Sequence, residues 1–497
     1  MKSRRLPPLL LITLAALLGS VCGKAPLVPE DLRGPAQWLR GIVMACTTST
    51  TDPSGIQVSY QFDWGDGSKS QWSPFMDGGV AFSDTHSYSG LGSFSIKVRA
   101  KNSKRASGWS APLSVTVAPG EGAVAWSVGF TDPENPEDSA DFTTSSFAIG
   151  TGNTAYIACK DYGALLALNP SGSVAWRFSP PDLYGDELAA APVLADDGTI
   201  LIGCTNEFVY ALNPDGSVKW ADSVGSQVLT TGAIGTVGTS YFQTADSTVI
   251  ALDAEGSLLW EVFTEGGSSS PVVGTDGTIF AVNQNGAVYA IDPVTDSVKW
   301  ISTVINKPVA APLAIDPTRG VLYVVDNETG VLQSIRLADG TGGSVQYTVG
   351  ADASGPVVGP DGTIYIGGDG KITAIDPDSN RYKWVFTPPM YGAVSTPALT
   401  VDGYAYFLVV PGKKRFALQG GDSLYAVNPD GKRRWACGLG EGLSDPEFAL
   451  SAPKLDANGY IYVGDGFRAW CVAGVSAPAQ SIWPVIHHDP GNTGRAW

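Results

Sequence analysis

The chain has 497 residues, with 60 Gly, 34 Pro, 10% aromatics and only 16% charged residues, which excludes a disordered polymer and suits a turn-rich β protein with a real core. Its formal charge of −17 is uneven: residues 24–118 hold nine Lys/Arg against seven Asp/Glu (+2), and residues 119–497 hold 19 against 41 (−22). So acidic a body argues against nucleic acid or an anionic membrane surface as a partner recognised through the general field.

The first segment, MKSRRLPPLLLITLAALLGSVCG, has the form of a signal peptide over residues 1–23. Lys2, Arg4 and Arg5 form its basic start, and the apolar run from Leu9 to Leu18 is too short to span a bilayer. It ends either after Gly23 or before Cys22, which would then carry a lipid. The expectation is export to the periplasm, the outer membrane or the exterior. A lipid on Cys22 is the one membrane anchor the sequence offers.

Residues 26–118 read as a small β-sandwich, with alternating strands in VSYQFDW (58–64), SFSIKVRAKN (93–102) and PLSVTV (112–117). Asp66-Gly67 marks a tight turn. The set YQFDWGDGS…HSYSGLGSFSIKVRAKN resembles a PKD domain, an Ig-like module of extracellular proteins. Asp63 and Asp66 in that turn are candidate Ca²⁺ ligands, although turn chemistry accounts for them equally well. His86 reads as a packed strand-end residue. PGEG (119–122) is a linker.

From 123 to 475 the chain repeats one line: LLALNPSGSVAW, YALNPDGSVKW, VIALDAEGSLLW, VYAIDPVTDSVKW, ITAIDPDSNRYKW, LYAVNPDGKRRW. Each follows a small-residue strand such as SPVVG, an Asp-Gly turn and a strand such as TIFAV. The first strands number eight, from SSFAIG (145–150) to LSAPKL (450–455). Short antiparallel strands in units of this length are the signature of propeller blades, which cover each other's faces. The expected fold is all-β: an eight-bladed β-propeller preceded by an Ig-like sandwich. The eighth unit lacks a tryptophan corner, so residues 123–129 should supply its outer strand. Trp126, Trp176, Trp220, Trp260, Trp300, Trp384 and Trp435 read as structural blade residues packing between blades.

The repeat resembles the pyrroloquinoline quinone (PQQ)-like repeat with its tryptophan-docking strands. The tail IWPVIHHDPGNTGRAW resembles a segment common in that family and reads as a strap over residues 476–497. Enzymes of the family imply Ca²⁺ held by Glu, Asn and Asp, a catalytic Asp, and often two adjacent cysteines. No Cys-Cys occurs here, and the Asp residues sit mainly in turns (Asp197, Asp276, Asp361, Asp402). No catalytic residue and no cofactor is therefore expected, PQQ and Ca²⁺ included. His487-His488-Asp489 reads as structural, and the cysteines beyond Cys22 read as small buried hydrophobes. The leading reading is a non-catalytic exported scaffold binding protein or glycan. Its alternatives are a BamB-like outer-membrane assembly lipoprotein and a PQQ/Ca-dependent dehydrogenase.

Overall fold

The computed structural model describes residues 24–496 apart from 36, 41, 42, 130–144, 160–162, 182–187, 189, 266, 268, 327, 412–420, 441–450, 465–467, 475, 480–484, 486 and 490. The signal-peptide reading and Cys22 fall outside the described residues. The chain divides into two compact units, Met1–Gly120 and Glu121–Trp497.

In the first unit, Gln37–Leu39, Leu113–Ala118, Gly92–Lys101 and Ser59–Asp63 form one sheet in that order, while Met44–Thr48 pairs with Phe82–His86. Strand periodicity decides the core. Tyr60 and Phe62, Ile96, Val98 and Ala100, and Val115 and Val117 alternate inward and close on Trp38, Trp64 and Tyr88. The Tyr88 hydroxyl donates to the Trp64 carbonyl at 2.7 Å, so the buried phenol is paired.

The second unit is an eight-bladed propeller in which the first seven blades are each built from consecutive strands, four per blade with one extra on the seventh. Blades 1 to 7 begin with inner strands Ala148–Ile149, Val193–Leu194, Ala233–Ile234, Val272–Val273, Ala314–Asp316, Val357–Val358 and Ala398–Leu399. Their outer strands are Val174–Phe178, Val218–Ser223, Leu258–Phe263, Ser297–Ser302, Gly342–Thr348, Arg381–Phe386 and Arg433–Gly438. Blade 8 joins Lys454–Leu455, Tyr460–Gly464 and Arg468–Ala473 to Val124–Gly129. The first strand of the unit thus closes the ring, as the missing corner in the last repeat implied.

The repeated line has a steric cause. Its Ala lies directly across from its Trp: Ala167↔Trp176, Ala211↔Trp220, Ala251↔Trp260, Ala290↔Trp300, Ala374↔Trp384 and Ala426↔Trp435. The register shifts immediately after each pair, a bulge that strengthens local twist and aims the indole toward the next blade. Cys471 takes the Ala place opposite Trp126. The cysteines at 46, 159, 204, 437 and 471 form no disulfide, and all but Cys437 are buried.

Near the axis, hydroxyls tie blades in pairs. Ala191 N donates to Thr231 Oγ1 (3.1 Å), Gly355 N to Thr396 Oγ1 (2.9 Å) and Ala452 N to Ser146 Oγ (3.2 Å), while Ser269 Oγ donates to Ala311 O (3.0 Å).

Blade 5 departs from the rule, ending in Tyr347. The seam to blade 6 uses other chemistry: Tyr347 meets Tyr382 edge-on at 4.5 Å, and Arg319 bridges the blades. Arg319 holds Asp378 through two bonds (3.0 and 2.8 Å) and the fully buried Asp316 at 3.0 Å. Arg319→Ala should cost about 3–5 kcal/mol, because it removes the cation paired with the fully buried Asp316. Urea unfolding checks this, and Asp378→Ala, at the exposed end, should shift the midpoint far less.

Candidate functional site

Geometry gives the blade tryptophans a clamping role around the ring. The Trp126 indole N–H donates to Pro170 O (2.8 Å), Trp176 to Pro214 O (2.9 Å), Trp220 to Ala254 O (2.9 Å), Trp300 to Leu337 O (3.0 Å) and Trp384 to Pro429 O (2.9 Å). Each acceptor is on the corner of the following blade. A glycine there lies flat against the ring. At Gly216 (φ +86°) a Cβ would sit 2.7 Å from the Trp176 ring. Trp435 packs on Gly122 in the same way, and Trp260 packs against Tyr241 in the core between blades 3 and 4. These rings face neighbouring blades.

The tail lies across one end of the ring of inner strands. Leu194 N donates to Gly491 O (2.9 Å), Ile234 N to Thr493 O (2.8 Å), Val273 N to Gly494 O (2.7 Å) and Ala479 N to Leu399 O (2.9 Å). Asn492, fully buried, donates through Nδ2 to Phe147 O (3.1 Å) and Pro192 O (2.9 Å), and Arg495 donates to Gly235 O (2.9 Å). Blades 1, 2, 3, 4 and 7 are thereby tied together.

Beneath the tail is a buried cluster of perturbed titratable residues. Lys454 replaces the apolar residue usual in an inner strand, is fully buried, and donates from Nζ to Asp489 O at 2.8 Å. Burial pushes its ammonium down to about 7. His487 is driven down to about 3 by burial, with Lys454 adding to the effect. Asp489 is lowered, its hydrogen bonds and His488 outweighing burial. Its carboxylate holds Thr493 through the hydroxyl and, at 3.1 Å, the backbone N–H. Such clusters are functional-site candidates in general. Here every named contact secures the tail.

In the N-terminal unit, Asp66 accepts from Ser68 N (2.9 Å) and Ser68 Oγ (2.6 Å) and bonds His86 Nε2 at 2.8 Å. Asp63 accepts from Gly65 N (3.2 Å) and lies 3.4 Å from Lys69. Both carboxylates serve turn and ion-pair contacts. Among the described residues no three His, Cys, Asp or Glu side chains are grouped so as to hold a metal, and no two cysteines adjoin in the sequence.

A second repeat rule emerges at the rim. The Lys before the blade tryptophan reaches back to the Asp-Gly-Thr turn of its own blade: Lys219 to Asp197 (2.9 Å) and Thr199 (2.9 Å), Lys299 to Asp276 (3.4 Å) and Thr278 (2.7 Å), Lys383 to Asp361 (2.7 Å) and Thr363 (2.5 Å). Hydrogen bonds from this Lys and the Thr hold Asp197 and Asp361 down to about 2 against the opposing effect of burial. Blade 3 lacks both partners at once. Val237 stands in the Asp place and Leu259 in the Lys place, 82% and 52% exposed, with Phe263 65% exposed on the same strand. Between Lys219 and Lys299 the sequence has no Lys or Arg but nine Asp/Glu. The outer strand of blade 3 is thus an apolar edge within a stretch of sequence whose charges are all acidic. The paired substitution is readable in the sequence once the repeats are aligned, but not from Leu259 alone.

The family profile described as outer membrane protein assembly factor BamB matches residues 114–342 and 245–384. A curated relative, the BamB of Moranella endobia (strain PCIT), is 26% identical over 206 residues, 38% of this chain, and the match spans about half the relative's length. The crystal structure of BamB from Moraxella catarrhalis superposes with a TM-score of 0.54 at 16% identity, covering 71% of this chain and 97% of that one. The computationally designed Ika8 protein gives 0.53 at 11%, covering 67% and 98%. At these identities the two structures establish the propeller fold alone. The family match extends over more than half of the chain, so the protein belongs to the PQQ-like repeat family of the outer membrane protein assembly factor BamB.

Proposed function

We propose that this protein is a non-catalytic binding scaffold of the cell envelope, working through protein contacts in outer-membrane protein assembly. The family match over residues 114–384 carries this reading. Export by a signal peptide over residues 1–23 and a lipid on Cys22 belong to the same proposal, as does a PKD-type module over 26–118. That module favours a second reading, a surface scaffold that binds glycans, because the matched profile begins only at residue 114.

The propeller surface we assign to protein binding is the outer edge of blade 3. An unpaired outer strand exposes backbone donors and acceptors, and charged side chains normally blunt such edges. Here Leu258, Leu259 and Phe263 are exposed and the only charge on the strand is Glu261. The occupant that fits is an extended segment of a partner protein that adds as a strand, apolar toward Leu259 and Phe263 and basic toward Glu261.

The test is a crosslinked pull-down from native envelopes with full-length tagged protein, read by mass spectrometry. Barrel-assembly proteins should be recovered. Leu259→Lys with Phe263→Lys should reduce that recovery at least about tenfold without moving the melting temperature, since both side chains are exposed. Recovery of surface proteins or glycans without the assembly machinery overturns the assembly reading. Undiminished recovery by the double variant overturns the blade 3 surface.

A further inference from the structure

In the N-terminal unit, strand Gly92–Lys101 turns Ile96, Val98 and Ala100 inward, so Lys97, Arg99 and Lys101 share its outward face. Two irregular segments flank the sheet. Ser70 N and Ser73 N donate to Phe62 O and Tyr60 O on one side, and Ser107 N and Ser110 N donate to Ala100 O and Val98 O on the other. They carry Trp72, Phe75 and Trp109 onto the same face.

The contacts run in one unbroken line. Lys69 Nζ lies 5.2 Å from the Trp109 ring centroid. The Arg99 guanidinium lies 4.6 Å from Trp109 and 5.2 Å from Trp72. Lys101 Nζ lies 4.3 Å from Trp72 and 5.9 Å from Phe75. Cation and ring alternate through six residues. Gln61 Oε1 accepts from Arg99 Nε (3.2 Å) and Nη2 (2.8 Å), which fixes the guanidinium plane. Asp63 is the one carboxylate in ion-pair range of the line among the described residues, and Phe75 is 46% exposed. Exposed cation–π pairs add only about 0.5–1 kcal/mol each, so fold stability gives little reason for so many cations facing so few anions.

We propose that this stripe binds a linear acidic polysaccharide. Arg99 and Lys101, alternate positions of one strand, lie about 6.6 Å apart, a spacing that suits an extended polymer carrying charge at regular intervals. The cations meet carboxylates. The rings between them offer apolar surface to the C–H faces of sugar units, which a purely ionic polymer such as polyphosphate could not use. The −22 body does not forbid this, because screening limits its reach to a Debye length of about 8 Å at physiological salt. The site is separate from blade 3 and does not rest on the assembly reading.

The experiment is calorimetric titration of the full-length protein with polygalacturonate, with dextran and polyphosphate as reference polymers. Polygalacturonate should bind in a salt-dependent manner and dextran should not. Lys101→Ser and Arg99→Ser should each weaken binding at least tenfold. Trp72→Ala should weaken it several-fold while Trp72→Phe retains most of it. The Leu259→Lys, Phe263→Lys variant should bind as the wild type does, which separates this site from the assembly proposal. Absence of binding overturns the proposal. So does equal binding of polyphosphate with no dependence on Trp72, since that would be charge attraction alone. Lys69→Ser, at an exposed position, serves as the charge test if Arg99→Ser does not fold.

Discussion

Trp220→Ala should destabilise the propeller by about 2–4 kcal/mol, below the largest losses for a buried aromatic because the indole is only half-buried. Trp220 ties blade 2 to blade 3 by a 2.9 Å bond to Ala254 O and by lying flat on Gly256. Gly256 has φ +92°, and a Cβ there would meet the ring at 2.6 Å, so Gly256→Ala carries both backbone strain and a clash, together about 2–3 kcal/mol. The two sites share one contact, so their costs should not add. Gly256→Ala should cost distinctly less in the Trp220→Ala background, where the clash is gone and the strain remains. Urea unfolding of the four proteins measures this. Simple additivity would show that the indole does not dock where the geometry places it.

Acid should loosen the tail. His487 is buried with its imidazole held down to about 3, whereas in the unfolded chain it titrates near 6.5. Between those values the unfolded state holds more protons, so stability is fully present above about pH 6.5 and is lost as pH falls toward 3. Lys454 acts in the same direction in a higher window. Its ammonium is held down to about 7, so stability rises from there toward the unfolded value near 10.4. Asp489 is lowered, and its share is lost only below the ordinary carboxylate range. The His487 contribution is of the order of 3–5 kcal/mol. His487→Asn removes the titrating ring and tolerates the left-handed backbone (φ +53°) found there. Its unfolding midpoint should be flatter than the wild type's between pH 6.5 and 4. Parallel pH profiles would show that His487 does not carry the acid response.

The repeat made most of the fold legible, because each recurring letter answers a steric demand. Ala is small to sit across from Trp, and Gly in the corner receives the indole of the preceding blade. The closing strand was legible as well, since a repeat with a missing outer strand needs one from elsewhere. Blade 5 was harder to read: Arg319 and Asp378 lie 59 positions apart, and a lone Arg in a turn carries no repeat signal. Lys454 could have been noticed as the charged residue in an otherwise apolar first strand, but its partners come from the tail. The polar side of the N-terminal unit was opaque for a similar reason. Lys69, Trp72, Arg99 and Trp109 become one line only when the flanking segments fold alongside the sheet.

The most direct measurement of the central claim is site-specific photocrosslinking in intact envelopes, with the reactive group at position 259 on blade 3 and, for reference, at position 382 on blade 6. The account predicts crosslinks to a barrel-assembly protein from position 259 and none from position 382. Equal crosslinking from both positions, or assembly proteins absent from both, would contradict it.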